Sequence, residues 1–131
     1  MDNVRPFDVI TCHYRALNGS DTMGLFLVVH VDGTNLLCAK MTSQFDSRYL
    51  GYSVLVLQRT NPFLQTDSYI QMDKLHTLSS NDCYILGRLA PVARRPVKDV
   101  LNRFHYDVLS ELNEHIKNRY VSPNVIKRYD E

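Results

Sequence analysis

The chain has 131 residues, of which 44% are hydrophobic, and this is enough for a single domain with its own core. Its 15 basic and 14 acidic residues give a net charge of +1, which excludes a strongly basic protein that binds nucleic acid through charge excess alone. No apolar run reaches the roughly 18 residues that a membrane span needs, and no secretory signal pattern is seen, so we expect a cytoplasmic protein without membrane contact.

Six segments have the apolar alternation or the β-branched and aromatic content that is typical of strands. They are residues 7–15, 23–31, 36–42, 52–57, 68–72 and 83–89. Between the second and third, the pair Asp32-Gly33 predicts a tight hairpin turn, because glycine readily adopts the positive φ that such turns require. The second segment is apolar almost throughout, which predicts a strand that is buried on both sides.

Alternation within two of these segments predicts which side chains share a face of the sheet. In the first, Val9, Thr11, His13 and Arg15 fall on one side and Ile10, Cys12 and Tyr14 on the other. In the third, Leu37, Ala39 and Met41 face one way and Cys38, Lys40 and Thr42 the other.

After the last strand the apolar period changes from two to three-and-four spacing. This spacing predicts one long amphipathic helix from Pro96 to Ile116, with Pro96 in its first turn, where a missing N–H costs nothing. Short strands followed by one helix indicate a small antiparallel barrel or strongly coiled sheet, capped by the helix. We therefore expect one domain over residues 1–118 and a polar tail over residues 119–131.

Metal and cofactor chemistry finds little support in the sequence. The five histidines have no ligand-like spacing, and neither a P-loop nor a G-x-G-x-x-G motif occurs, so we expect no metal and no cofactor. Cys12, Cys38 and Cys83 are widely spaced without a C-x-x-C pair, which favours buried, reduced thiols.

Three short motifs occur in a suggestive order. Phe7-Asp8-Val9 opens the first strand, the third strand runs from Cys38 into Thr42-Ser43-Gln44, and Asp67-Ser68-Tyr69-Ile70 precedes a predicted basic turn at Lys74–Leu78. This order resembles the MazF/PemK family of small ribonuclease toxins over roughly residues 5–115. One departure matters, because the family's Arg-Pro pair before the second strand is replaced here by Thr22-Met23-Gly24.

The resemblance implies an SH3-like barrel with a terminal helix, assembled as a homodimer. It also implies a metal-independent endoribonuclease that cleaves single-stranded RNA within a toxin–antitoxin system, of plasmid or phage origin for example. Its protein partner would be an acidic antitoxin peptide that occludes the RNA groove. Of the family's essential pair, the threonine carries over as Thr42, whereas the arginine has no counterpart.

RNA cleavage is chemistry that a few polar side chains can perform, because the substrate supplies its own 2′-hydroxyl nucleophile. We expect catalytic roles for Thr42, His76 and Arg15, the last two in place of the missing arginine. We expect RNA contacts from Lys40, Ser43, Gln44, Arg48 and Lys74. Arg15, Lys40 and Lys74 are also consistent with ordinary solvated surface residues.

A second hypothesis keeps the fold without the chemistry. Lacking the arginine, the chain would be a MazF-like or CcdB-like binding or regulatory module that recognises RNA or a protein target. The loop aromatics have two interpretations: they stack on RNA bases, or they fill the end of a small barrel. These residues are Phe45, Tyr49, Tyr52 and Phe63.

Overall fold

The computed structural model describes residues 3–15, 21–46 and 51–105, with the backbone alone at residues 14, 15, 21, 22, 73, 74, 104 and 105. Several sequence-based predictions lie outside these residues. They are the position of Arg48, the helix beyond residue 105 and the domain boundary at residues 118 and 119.

Six antiparallel strands form one sheet in the order β4-β5-β3-β2-β1-β6. The strands are β1 (Asp8–Arg15), β2 (Asp21–Asp32), β3 (Asn35–Thr42), β4 (Ser53–Val56), β5 (Ser68–Ser79) and β6 (Cys83–Arg88). The prediction of a mainly β fold with a C-terminal helix is confirmed. Within the described residues β4 and β6 are the two edges of an open sheet, and strand pairing does not close it into a barrel.

The β2–β3 hairpin forms as its turn residues predict. Asp32 and Asn35 are directly opposed, and the two residues between them include Gly33 with a φ of 63°. A side chain at that φ would be strained, which explains the glycine. The turn fixes the register that carries Thr42 to the far end of β3.

Both faces of the sheet bury apolar side chains. The helix-covered face contains Val9, Leu27, Leu37, Ala39 and Met41, packed with Val97 and Val100 of the helix. The opposite face contains Ile10, Cys12, Phe26, Val28, Leu36 and Cys38. The alternation predicted for the buried residues of β1 and β3 is therefore confirmed, and the middle of β2 is buried on both sides as expected.

Strand β5 is longer than the sequence predicts, and the basic turn expected at Lys74–Leu78 is wrong. Those residues belong to β5, which continues to Ser79. The pairing with β3 shifts within this stretch, because Ala39 lies opposite Leu75 whereas Lys40 lies opposite Gln71. A bulge over residues 72–74 thus absorbs the irregular sequence without ending the strand.

The helix also differs from its prediction. Helix α1 spans Pro91–Val100 and continues as a π-helical turn over Leu101–His105, so it begins five residues before the predicted start. Pro91 occupies the first turn, whereas Pro96 lies inside the helix. Of the predicted apolar stripe, Val97, Val100 and Leu101 are buried, and its later positions lie outside the described side chains. The helix starts at the earlier of the two prolines. Over the described residues, no helix has the length and apolar character to cross a membrane.

The loop between β4 and β5 crosses the helix-covered face and reaches the other edge of the sheet. The ring of Phe63 lies against Gly87 of β6, where a Cβ would come within 3.0 Å of three ring atoms. Asn61 is almost fully buried, and its Oδ1 accepts a hydrogen bond from Ala90 N at 2.8 Å, just before α1. The loop therefore bridges the two edges that strand pairing leaves open.

A buried corner at Phe7 holds the end of β6 in place. Phe7 has a φ of 73°, its N–H donates to Val28 O at 2.8 Å, and its carbonyl accepts from Leu89 N at 2.8 Å. Beside it, the buried carboxylate of Asp8 pairs with Arg88 at 3.3 Å. Arg94 and Lys98 each place their charged group 5.8 Å from the centre of the Phe7 ring, which suits a cation–π contact.

Candidate functional site

A groove of about 440 Å³ opens beside the end of β3 on the helix-covered face. Its walls are apolar and come from four parts of the chain, namely Leu25, Met41, Phe63, Leu64 and Leu86. Its rim carries hydroxyl and amide side chains, namely Thr11, Thr42, Ser43, Gln65, Thr66 and Ser68. Among the described residues that line the groove, none is charged.

The floor of the groove follows directly from strand register. Thr11, Leu25 and Met41 are opposed across β1, β2 and β3, so they form one row on the same face. The row ends beside Thr42, where β3 stops because the Thr42 hydroxyl accepts a hydrogen bond from Gln44 N at 3.2 Å. A threonine hydroxyl used in this way favours a turn over further strand.

The outer wall is the β4–β5 loop, which local hydrogen bonds hold in shape. The Asp67 carboxylate accepts from Gln58 N at 2.7 Å, and Ser68 Oγ donates to Thr66 O at 3.2 Å. Leu64 N donates to Asn61 O at 2.9 Å, which turns the chain so that Leu64 is buried. The groove therefore lies between the paired strands of the sheet and a loop that its own hydrogen bonds hold in shape.

Edge strand β6 forms the remaining wall and exposes three consecutive apolar side chains. Tyr84 is 67% exposed, Ile85 37% and Leu86 43%. Within the described chain β6 pairs with β1 alone, and its pairing is irregular beside Leu86, since Val9 lies opposite Gly87 whereas Ile10 lies opposite Ile85. An edge strand that exposes apolar residues is suited to pairing with another extended chain.

The structure brings only part of the predicted ribonuclease site together. Thr42 and Ser43 line the groove, and Gln44 follows them as an exposed residue. Lys40 lies opposite Phe26 of β2 and Gln71 of β5, on the opposite face of the sheet. Thr42 follows Lys40 by two residues, at the end of β3, and borders the groove, whereas Lys40 is not among the described residues that line it.

His76 is placed away from Thr42. It lies opposite Cys38, four residues along β3 from Thr42, which corresponds to about 13 Å along a strand. Its ring meets Phe26 edge-on with the ring centres 5.8 Å apart. His76 therefore packs within the opposite face and is too distant for direct contact with the Thr42 hydroxyl.

The other predicted cations are located only by their backbone or not at all. Arg15 ends β1 opposite Asp21, and Lys74 lies in the bulge of β5. Arg48 is outside the described residues. The catalytic role predicted for Arg15 and the RNA contacts predicted for Lys74 and Arg48 stay predictions.

The loop aromatics divide between the two interpretations that the sequence left open. Phe63 fills the space over Gly87 and packs against the core, as expected for a residue that fills the end of a barrel. Phe45 is exposed and its ring lies 5.4 Å from that of Tyr69, centre to centre. Tyr52 is half-buried beside β4, and Tyr49 is outside the described residues.

Among the described residues, no group of three or more His, Cys, Asp or Glu side chains is arranged to hold a metal ion. The side chains that sequence reasoning missed are the apolar walls of the groove, above all Leu86 and Leu25. For Leu86 the sequence signal was the apolar run Tyr84-Ile85-Leu86, but only the strand order shows that this run lies at an edge of the described sheet.

Comparison with known proteins adds no relative: no protein-family model matches this chain, and neither does any curated protein sequence. The resemblance to the MazF/PemK family therefore rests on the short motifs alone.

Proposed function

We propose that this protein is a binding module that takes up an extended polypeptide segment. The segment adds to the edge of β6 and places an apolar side chain in the groove beside Thr42. The observation that carries the proposal is the position of β6, an edge strand with three exposed apolar residues that also forms one wall of that groove. Strand addition of this kind obtains affinity from backbone hydrogen bonds and specificity from side-chain pockets.

The chemistry of the groove favours a polypeptide over RNA. An apolar floor suits an aliphatic or aromatic side chain, and the neutral hydroxyl and amide rim suits the donors and acceptors of a peptide backbone. RNA binding depends on cations that follow the phosphates, and no described residue of the groove is charged. Lys40 lies opposite Phe26 of β2, and His76 meets the Phe26 ring edge-on, so both lie on the face opposite the helix.

The other sheet edge is a poorer docking strand. Strand β4 has only four residues, Ser53–Val56, and Leu55 is its one strongly exposed apolar side chain. This contrast between the edges provides a matched control for the experiment.

The proposal is tested by selecting peptides from a displayed library of random ten-residue segments on immobilised wild-type protein. We expect enrichment of sequences with alternating apolar residues. Leu86→Asp should weaken binding of the selected peptides by about 10- to 100-fold, because burying a leucine-sized side chain contributes about 1.5–3 kcal/mol. Leu55→Asp introduces the same change on the other edge and should leave binding unchanged. No enrichment, or equal binding by both variants, would contradict the proposal.

Kinship with the MazF/PemK and CcdB toxins is part of the proposal. Supporting it are the motif order and an antiparallel sheet followed by one helix, with the β4–β5 loop bridging the open edges in the manner of a small SH3-like barrel. Under this kinship the extended polypeptide is the acidic antitoxin peptide, and the protein is a cytoplasmic homodimer. A binding function without catalysis agrees with the missing arginine.

Endoribonuclease activity remains a prediction of the sequence, supported by the accessible position of Thr42 at the groove rim. It is tested by incubating the protein with mixed single-stranded RNA in the presence of a chelator. If the enzyme hypothesis holds, Thr42→Ala abolishes cleavage while Ser43→Ala retains it. The binding module predicts no cleavage by wild type above the level of the Thr42→Ala variant.

A further inference from the structure

Cys12 and Cys83 form a cross-strand pair of thiols. They lie directly opposite each other on β1 and β6, where the Cys12 thiol donates to His13 O at 3.5 Å and the Cys83 thiol to Ser79 O at 3.1 Å. Opposed residues of antiparallel strands have Cα atoms about 4.5 or 5.5 Å apart. Both distances lie within the range of about 4.4–6.8 Å that disulfides span. The backbone therefore already has the spacing that a disulfide between these residues needs.

The two thiols differ in their access to solvent. Cys12 is only 1% exposed, whereas Cys83 is half-buried and lines an open cleft of about 760 Å³. The cleft lies between the N-terminal segment at Val4 and the β2–β3 turn at Gly33. A small molecule can therefore reach Cys83 through the cleft, and Cys12 only by way of Cys83.

Cys38 is the third thiol of the same apolar cluster, but the register sets it apart. It lies opposite Val28 on one side and His76 on the other, and it is fully buried. Because Cys38 has no exposed surface, a small disulfide cannot reach its sulfur, whereas it can reach that of Cys83. Cys38 thus serves as an internal control for the other two.

We propose that Cys12 and Cys83 are a site of reversible covalent modification, which a low-molecular-weight disulfide oxidises to an intramolecular disulfide. The Cys83 thiolate attacks the small disulfide, forms a mixed disulfide and releases one small thiol, which takes up the proton. The Cys12 sulfur then attacks the Cys83 sulfur and expels the second small thiol. Two protein thiols are oxidised and one small disulfide is reduced to two thiols, so that atoms and electrons balance.

The product would link edge strand β6 covalently to β1. This inference is independent of peptide binding, since it involves the opposite end of β6 from Leu86 and a different cleft. Burial raises the pKa of the Cys83 thiol, so the first attack is slow near neutral pH. The experiment therefore uses excess oxidant and long incubation.

The test incubates the reduced chain with excess oxidised glutathione and follows intact mass and free thiols. We expect a monomer lighter by about 2 Da, because two hydrogens leave, with the thiol count falling from the present three to one. Digestion without reduction should yield a linked peptide pair containing Cys12 and Cys83. A product that keeps all three thiols, stops at a glutathione adduct or links Cys38 would overturn the proposal.

Two variants separate the steps. Cys38→Ser should form the same bond as wild type and retain no free thiol. Cys12→Ser removes the resolving thiol and should accumulate the glutathione adduct on Cys83, at a mass higher by one glutathione. Loss of the bond in Cys38→Ser, or absence of the adduct in a folded Cys12→Ser, would also overturn the proposal. Far-ultraviolet circular dichroism establishes that each variant is folded. The peptide map of the wild-type protein shows which cysteines are linked without any substitution.

Discussion

Asn61 connects the β4–β5 loop to the start of α1 through hydrogen bonds made at both ends of its amide. Its Oδ1 accepts from Ala90 N at 2.8 Å, and its Nδ2 donates to Leu57 O and to Thr60 Oγ1, each at 3.0 Å. The side chain is 1% exposed. A single buried amide thus joins the loop at residues 57–61 to the start of α1, 29 residues along the chain.

Replacing Asn61 with alanine should lower the free energy of unfolding by about 1–3 kcal/mol, the usual cost of leaving a buried N–H without its acceptor. The orphaned group is Ala90 N, since Leu57 O keeps its bond from the backbone N–H of residue 61. Urea unfolding measures the change. Asn81→Ala, at an exposed position of the turn before β6, should change stability by less than about 0.5 kcal/mol. Equal losses of stability in the two variants would contradict the role of Asn61 in joining the loop to α1.

At the scale of elements, contact between the β4–β5 loop and β6 depends on the absence of a side chain at Gly87. A Cβ there would come within 3.0 Å of three atoms of the Phe63 ring. Gly87→Ala should therefore destabilise the fold by about 1–3 kcal/mol, as overpacking does elsewhere. Adding Phe63→Ala removes the opposing ring, so the double variant should lose less stability than the two single losses combined. Additive losses in urea unfolding would contradict this contact.

The elements show where sequence patterns suffice and where they fail. Strands β1 and β3 follow from alternation, because each buries alternate residues in two clusters. The full length of β5 could not be predicted, since residues 72–74 bulge out of the register while the residues on either side stay paired with β3. The start of α1 was misplaced because Pro91 and Pro96 are both compatible with a first turn. Only the tertiary bond from Ala90 N to Asn61 distinguishes them.

The sequence predicted the candidate site only in part. Local sequence placed Thr42 and Ser43 at the end of β3, and both border the groove. The prediction that His76 joins Thr42 assumed a turn at residues 74–78, whereas an extended β5 leaves His76 opposite Cys38. Leu86 could not be recognised as a groove wall from sequence, because its role depends on β6 being the last strand in the sheet.

At the scale of the whole molecule, one open sheet carries two unlike edges. The β4 edge is short and has a single exposed leucine, whereas the β6 edge is apolar and borders a groove at Leu86 and a cleft at Cys83. Natural proteins usually protect such an edge with charges, prolines or bulges. The exposed stretch Tyr84–Leu86 contains neither charges nor prolines, and this lack of protection supports the proposed strand addition at β6.

Amide hydrogen exchange with a peptide selected on the wild-type protein tests this claim most directly. Strand addition predicts that peptide slows exchange at the β6 amides that do not pair with β1, by about tenfold or more, because they gain hydrogen-bond acceptors. Amides of β4 should exchange at unchanged rates. Slowed exchange at β4, or a bound peptide that leaves the β6 amides unprotected, would contradict the account.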